Sequence, residues 1–242
     1  MKQIEKIKLI EDDIIEVYGT RKYNQEFLER LVNYYTKSKD KVLNFFGINE
    51  FRKIKVNLYE SKQVYYNTFK DIMKISKYGI GNCYMGEINY VCTKEDLESI
   101  PRAGFVIAII VHEFVHLVYY EKVSKNKCVW LEEGLAQYLS GQKSLLETDD
   151  ERYNTWLDKN IFSKEIPNIE YLKEHGSTYG KFCDMETNKY NGYDVSYALI
   201  RHMVERYTNT EINEIIRDRL KLEELEKTII QDFVTATKKS AI

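Results

Sequence analysis

The sequence predicts an α+β fold, with a mixed lobe over residues 1–122 and a mainly helical lobe over residues 123–242. Three observations carry that expectation. Residues 53–59, KIKVNLY, alternate polar and apolar side chains with the period of a half-buried strand, and NCYMGEINYVC (82–92) is rich in Tyr and Val. Beyond residue 122 the apolar residues recur at helical spacing only. Between the two lies the most apolar segment of the chain, VIAIIVHEFVHLVYY (106–120).

The elements follow in order. Residues 3–18 place Ile4, Ile7, Ile14 and Val17 roughly on one side of a helix. Asn24 caps a second helix that runs through Phe46 and ends at Gly47. The strand 53–59 comes next, then a helix from Ser61 to Ile75, and then residues 82–92 as one strand or two joined near Gly86. Ser99 suits an N-cap and Pro101 the first turn, where a missing N–H costs nothing. The helix they open runs to about Glu121 and is apolar all round, as a helix in the middle of a protein is. VWLEEGLAQYLSG forms a second buried helix closed by Gly141. Residues 143–190 are more polar and read as a loose insertion with one or two short helices. An apolar stripe returns over 193–207, and residues 211–236 form one or two amphipathic helices.

Composition narrows the function. The 242 residues hold 36 Lys and Arg against 38 Asp and Glu, so the net charge of -2 lacks the basic excess of a nucleic-acid binder. Cys83, Cys92, Cys128 and Cys183 form no CxxC pair, which argues against a zinc ribbon or a thioredoxin-type site. The N-terminal residues have no apolar h-region, and the run Phe105 to Val111 is far below the ~20 residues of a transmembrane helix. A cytoplasmic protein with free thiols and no membrane or nucleic-acid partner is expected; the oligomeric state is not encoded in any pattern seen here.

The chemistry lies in HEFVH. Residues i and i+4 share a helix face, so His112 and His116 present two nitrogens to one cation. Glu113 sits about 100° around the helix, placed to act on a water without competing for the metal. Zinc accepts imidazole and carboxylate and leaves a position open. Buried imidazoles also satisfy each other or the backbone in ordinary cores. Yet the chain has only 4 His, and two fall at this spacing in its most apolar segment. A third ligand is then required. Glu132 or Glu133, among Trp130, Leu131, Leu135 and Ala136, faces inward and supplies it. His175 reads as a surface turn residue and His202 as a packed one.

HEFVH followed by WLEEGLAQY resembles the gluzincin zinc metallopeptidases (the peptidase MA-like group), in which HExxH on one helix is completed by the Glu of a WLxEG segment on the next. KIKVNLYESKQVYYNTF resembles the N-terminal lobe of such domains, and IPNIEYL with YDVSYALIRHMVERY their downstream helix, so the likeness covers roughly residues 50–207. It implies a zincin-like fold, Zn2+ as cofactor, and Glu133 as third ligand, with Glu132 at the variable position. It implies Glu113 as general base and Tyr193 as donor to the oxyanion, with Tyr197 one helical turn on as the substitute. The GxMEN motif of the larger aminopeptidases is replaced by CYMGEINY, where Glu87 is the only acid. Gln137 stands where some gluzincins carry an Asp that bonds a ligand His, and can accept from His112 through its carbonyl. The strand 84–92 forms the upper rim of a cleft and pairs with an extended peptide. The expected function is zinc-dependent hydrolysis of a peptide or protein substrate, internal or terminal. The alternatives are a silent or latent peptidase-like domain that binds a protein partner, and a metal hydrolase acting on another bond.

Overall fold

The computed structural model describes residues 5–72, 80–142, 167–173, 182 and 190–240. Internal contacts divide the chain into two units, Met1–Asn44 with Ile48–Leu117, and Phe45–Gly47 with Val118–Ile242.

The first unit is built on a five-stranded mixed sheet. Its strands are β1 (Ile7–Glu11), β2 (Ile15–Gly19), β3 (Ile54–Tyr59), β4 (Gly81–Tyr84) and β5 (Glu87–Val91). They lie in the order β1-β2-β3-β5-β4, so β4 is an edge. The β2–β3 and β3–β5 pairs are parallel, and the two hairpins are antiparallel.

Where the sequence suggested a helix over 3–18, the structure has the β1–β2 hairpin. Asp12 explains the difference. Its carboxylate accepts the N–H groups of Ile14 and Ile15, both at 2.9 Å, and its own N–H reaches the Ile15 carbonyl. That local turn, followed by β-branched residues, favours a strand over a helix. Ile15 and Val17, two apart, are both fully buried.

Register sorts the sheet into two faces. Val56 pairs with Ile88 and Leu58 with Tyr90 on one face. On the other, Lys55 meets Glu87, Asn57 meets Asn89, and Tyr59 meets Val91. The short helix α2 (Lys62–Phe69), capped by Ser61, covers part of this second face through Tyr65 and Phe69.

The helix α1 (Gln25–Phe46) is capped by Asn24, whose side chain accepts the Glu26 N–H at 2.7 Å, and stops at Gly47 with φ 66°. The central helix α3 (Ile100–Val118) begins beside Ser99 and Pro101 as expected. Phe114 on α3 packs edge-on against Tyr35 of α1 and Phe51, with ring centroids at 5.1 and 5.5 Å. The span Ile100–Val123 is long and apolar enough to cross a membrane, but 67% of that window is buried inside the protein.

The second unit opens with a π turn, Tyr119–Val123, closed by the Ser124 N–H on the Tyr119 carbonyl. Then follow α4 (Val129–Ser140), α5 (Ile169–Leu172), α6 (Gly192–Val204), α7 (Asn209–Arg217) and α8 (Arg219–Ser240). Trp130, Leu131, Leu135 and Ala136 of α4 are fully buried, and Gly141 in the left-handed region ends the helix. The amphipathic tail is two helices, because Thr208 and Glu211 build a capping box at α7 and Asp218 leaves helical geometry before α8. Asn213 and Arg217 of α7 donate to the carbonyls of Phe45 and Phe46. Most of the insertion 143–190 lies outside the described residues, as does His175.

Candidate metal centre

The helix α3 sets the first two donors. His112 and His116, four residues apart, meet edge-on at 4.8 Å between ring centroids, and their Nε2 atoms are 3.1 Å apart. Two neutral imidazoles aimed nitrogen to nitrogen leave one lone pair facing another unless a proton or a cation lies between them. Zinc–nitrogen bonds of 2.0–2.1 Å in a tetrahedral site put two nitrogens about 3.3 Å apart, close to the observed spacing. Glu133 completes the set. Ligand atoms of His112, His116 and Glu133 all lie within 4.8 Å of one another, and His112 is 8% exposed. Two imidazoles and a carboxylate, nearly converged, with His112 buried and the other two half-buried, suit Zn2+ in charge and donor type.

The helix α4 presents Glu133 because its neighbours are otherwise engaged. Glu132, one residue before, is 5% exposed. It accepts the Cys128 N–H at 2.7 Å and the Tyr120 hydroxyl, so it braces the start of α4 against the π turn. Burial and the Glu132 carboxylate push the Tyr120 hydroxyl far above its ordinary pKa, which keeps it protonated as the donor. The sequence left the choice between the two glutamates to resemblance; in the structure Glu133 groups with the two imidazoles and Glu132 is engaged by Cys128 and Tyr120. Trp130 donates its Nε1–H to Glu226 of α8 at 3.0 Å, and Glu226 also takes Cys128 Sγ at 3.3 Å and pairs with Lys173 at 2.8 Å.

Gly134 allows the close approach of α6. A Cβ there would lie 2.5 Å from the Ser196 carbonyl oxygen and 2.6 Å from Ile200 Cγ1. Gln137, one turn further, donates its Nε2–H to the Tyr193 carbonyl at 2.9 Å. Its Oε1 accepts no hydrogen bond from the described residues, so the expected acceptance from His112 is not made. The amide instead ties the first turn of α6 to α4. Tyr193 and Tyr197 both stand on α6. Tyr193 is half-buried with its ring 5.2 Å from Phe182, whereas Tyr197 is 5% exposed and packs near Tyr138.

Glu113 lies on the side of α3 that faces the sheet edge. Cys83 Sγ of β4 is 3.1 Å from the Glu113 carbonyl oxygen and 3.5 Å from Glu113 Oε2. A Cβ on Gly81 would come within 3.0 Å of Glu113 Oε1. Sequence reasoning missed both neighbours. The only trace was Cys83 in a predicted strand that began at 82, one residue past Gly81, and the register of β4 on α3 is a tertiary fact. Glu87, the acid considered for amine recognition, is held by Lys55 at 2.9 Å and Asn57 at 2.8 Å. It pairs across from Tyr84, on the face opposite Cys83. His202 stays out of the metal group. It packs edge-on against Phe233 at 5.4 Å, next to Arg206.

The chain matches no protein-family model and no curated protein sequence. It is similar in structure to the aminopeptidase N family protein from Idiomarina loihiensis, with TM-score 0.52 and 14% identity over 93% of this chain and 41% of that one. Yeast LTA4 hydrolase aligns with TM-score 0.48 and 10% identity over 95% of this chain and 36% of that one. The chain thus spans less than half the length of either protein. The first likeness is one of fold: the α+β, zincin-like arrangement of a mixed sheet followed by helices.

Proposed function

We propose that this chain is a zinc-dependent metallopeptidase of the gluzincin type. The observation that carries the reading is the near-convergence of His112, His116 and Glu133, two imidazoles and one carboxylate, from α3 and α4. These residues would hold the ion. Zinc bound there lowers the pKa of a coordinated water and polarises the scissile carbonyl. Glu113 takes the proton of the attacking water and hands it to the leaving amine. Tyr193 donates to the oxyanion, and its half-exposed position favours it over the buried Tyr197. β4, an edge strand among the described residues, offers N–H and C=O groups to an extended peptide, which aligns the scissile bond.

The placement of Glu87 supports cleavage that does not require a free N-terminus. Its carboxylate is occupied by Lys55 and Asn57 on the far sheet face, so it is not available beside β4 to bind a substrate amine.

The test combines metal analysis with a peptide library carrying free or acetylated N-termini. The expected result is stoichiometric zinc, cleavage of acetylated as well as free peptides, and a Glu113→Gln variant that keeps zinc but loses about 10²–10⁴-fold in rate. A protein without zinc, or a Gln variant as active as the parent, overturns the proposal.

A further inference from the structure

The general base assigned above is a flexible side chain. A Glu on a helix surface has three side-chain torsions, and a base displaced by about 1 Å can cost 10²-fold in rate. Something must hold Glu113, and the structure offers two candidates two residues apart on β4. One carboxylate oxygen, Oε1, borders the space that a side chain at position 81 would enter; an added Cβ would approach it to 3.0 Å, and the Tyr90 ring equally closely. The other, Oε2, lies 3.5 Å from Cys83 Sγ, and the same sulfur is 3.1 Å from the backbone carbonyl of Glu113. Residues 81 and 83 alternate onto the same face of the strand, so the pairing follows from β4 running alongside α3.

We propose that Gly81 and Cys83 are positioning residues for Glu113: the glycine leaves a notch for one carboxylate oxygen and the thiol donates to the other. This deepens the peptidase reading and rests on it for the role of Glu113 as base. The chemistry of the donor fits the task. A thiol is a weak, neutral donor, so it fixes the rotamer without cancelling the charge that makes the carboxylate a base. A lysine or arginine at position 83 would pair with the carboxylate and lower its basicity. The single thiol proton is shared between two acceptors of one residue, the backbone carbonyl at 3.1 Å and Oε2 at 3.5 Å, so the sulfur stays on Glu113 whichever it takes. Cys92 and Cys128 have no such arrangement: Cys92 is fully buried, its thiol pushed up to about 12 by that burial, and Cys128 is held by Glu226.

The experiment uses the full chain loaded with zinc and has two arms. In the first, Cys83→Ser, Cys83→Val and Gly81→Ala are compared with the parent for zinc content, kcat and KM on one peptide. All three are expected to bind zinc as the parent does. Val, which fills the space but cannot donate, and Ala at 81 lower kcat by about 10–100-fold, Val with KM little changed, while Ser retains most of kcat. A Val variant that keeps kcat as well as the Ser variant overturns the proposal. The second arm needs no activity. The S–H stretching band of Cys83, isolated as the infrared difference between parent and Cys83→Ala, is compared with the same difference in a Glu113→Ala background. It is expected to move to higher frequency when the carboxylate is gone. An unmoved band sinks the pairing of thiol and carboxylate whatever the activity. A parent chain that cleaves no peptide sinks the peptidase reading instead, so the two failures are distinguishable.

Discussion

Gly134→Ala is the sharpest perturbation of the site's scaffold. On helix propensity alone the change should stabilise α4, because Ala is favoured over Gly by about 1 kcal/mol in a helix interior. The structure reverses the sign. The new Cβ would sit 2.5 Å from the Ser196 carbonyl oxygen and 2.6 Å from Ile200 Cγ1, well inside the ordinary 3.5–4.0 Å contact range. To relieve this, α6 must retreat by about 1 Å, and the Gln137–Tyr193 bond at 2.9 Å stretches with it. Overpacking of this kind costs about 1–3 kcal/mol and the hydrogen bond about 1 kcal/mol. After the propensity gain the net loss is about 1–3 kcal/mol, or a Tm lowered by about 2–12 °C in a chain of this size. Gly104→Ala in α3 is the control, since a Cβ there meets nothing within 4 Å. It should raise stability by about 0.5–1 kcal/mol. Thermal melts of both variants read the contrast. A Gly134→Ala protein as stable as the parent would refute the close approach of α6 to α4.

The two adjacent glutamates should separate cleanly. Glu133→Ala loses zinc; Glu132→Ala is destabilised by about 2–4 kcal/mol, because the Tyr120 hydroxyl and Cys128 N–H lose their acceptor, yet its folded fraction still binds zinc. Glu226→Ala removes the acceptor of the Trp130 N–H, while Lys173 keeps its pair with Glu170, and should cost about 1–3 kcal/mol in urea denaturation, with Glu226→Gln intermediate. Stability should also fall in mild acid. Burial, reinforced by Arg206 and opposed by Asp232, pushes His202 down to about 4. The neutral ring is the folded form, so its contribution is complete above the unfolded value of about 6.5 and is lost as pH drops from there to about 4. His202→Phe should reduce that acid-induced loss by about 1–3 kcal/mol.

What the sequence disclosed depends on how local each feature is. The i, i+4 spacing of His112 and His116 is fixed by the helix itself, and the buried helix around them follows from fifteen nearly unbroken apolar positions. Asn24, Ser61, Gly47 and Gly141 mark helix ends by their own backbone chemistry, and the structure has all four at those ends. The β1–β2 hairpin was hidden because Ile7, Ile14 and Val17 fit a helical stripe, while the deciding contact was the Asp12 carboxylate on two N–H groups. The engagement of Glu132 rather than Glu133 depends on where the π turn places Tyr120, which no pattern encodes. The contact of Cys83 with Glu113 is further from reach still, since it needs the register of an edge strand against a helix 30 residues away.

The central claim is that His112, His116 and Glu133 hold one zinc ion, and anomalous diffraction at the zinc absorption edge from crystals of the zinc-loaded chain tests it most directly. A single strong peak bonded to both Nε2 atoms and to a Glu133 oxygen at about 2.0–2.2 Å is expected, with Glu132 still on Tyr120. A peak elsewhere, a peak bound by Glu132, or no peak at these residues would contradict it.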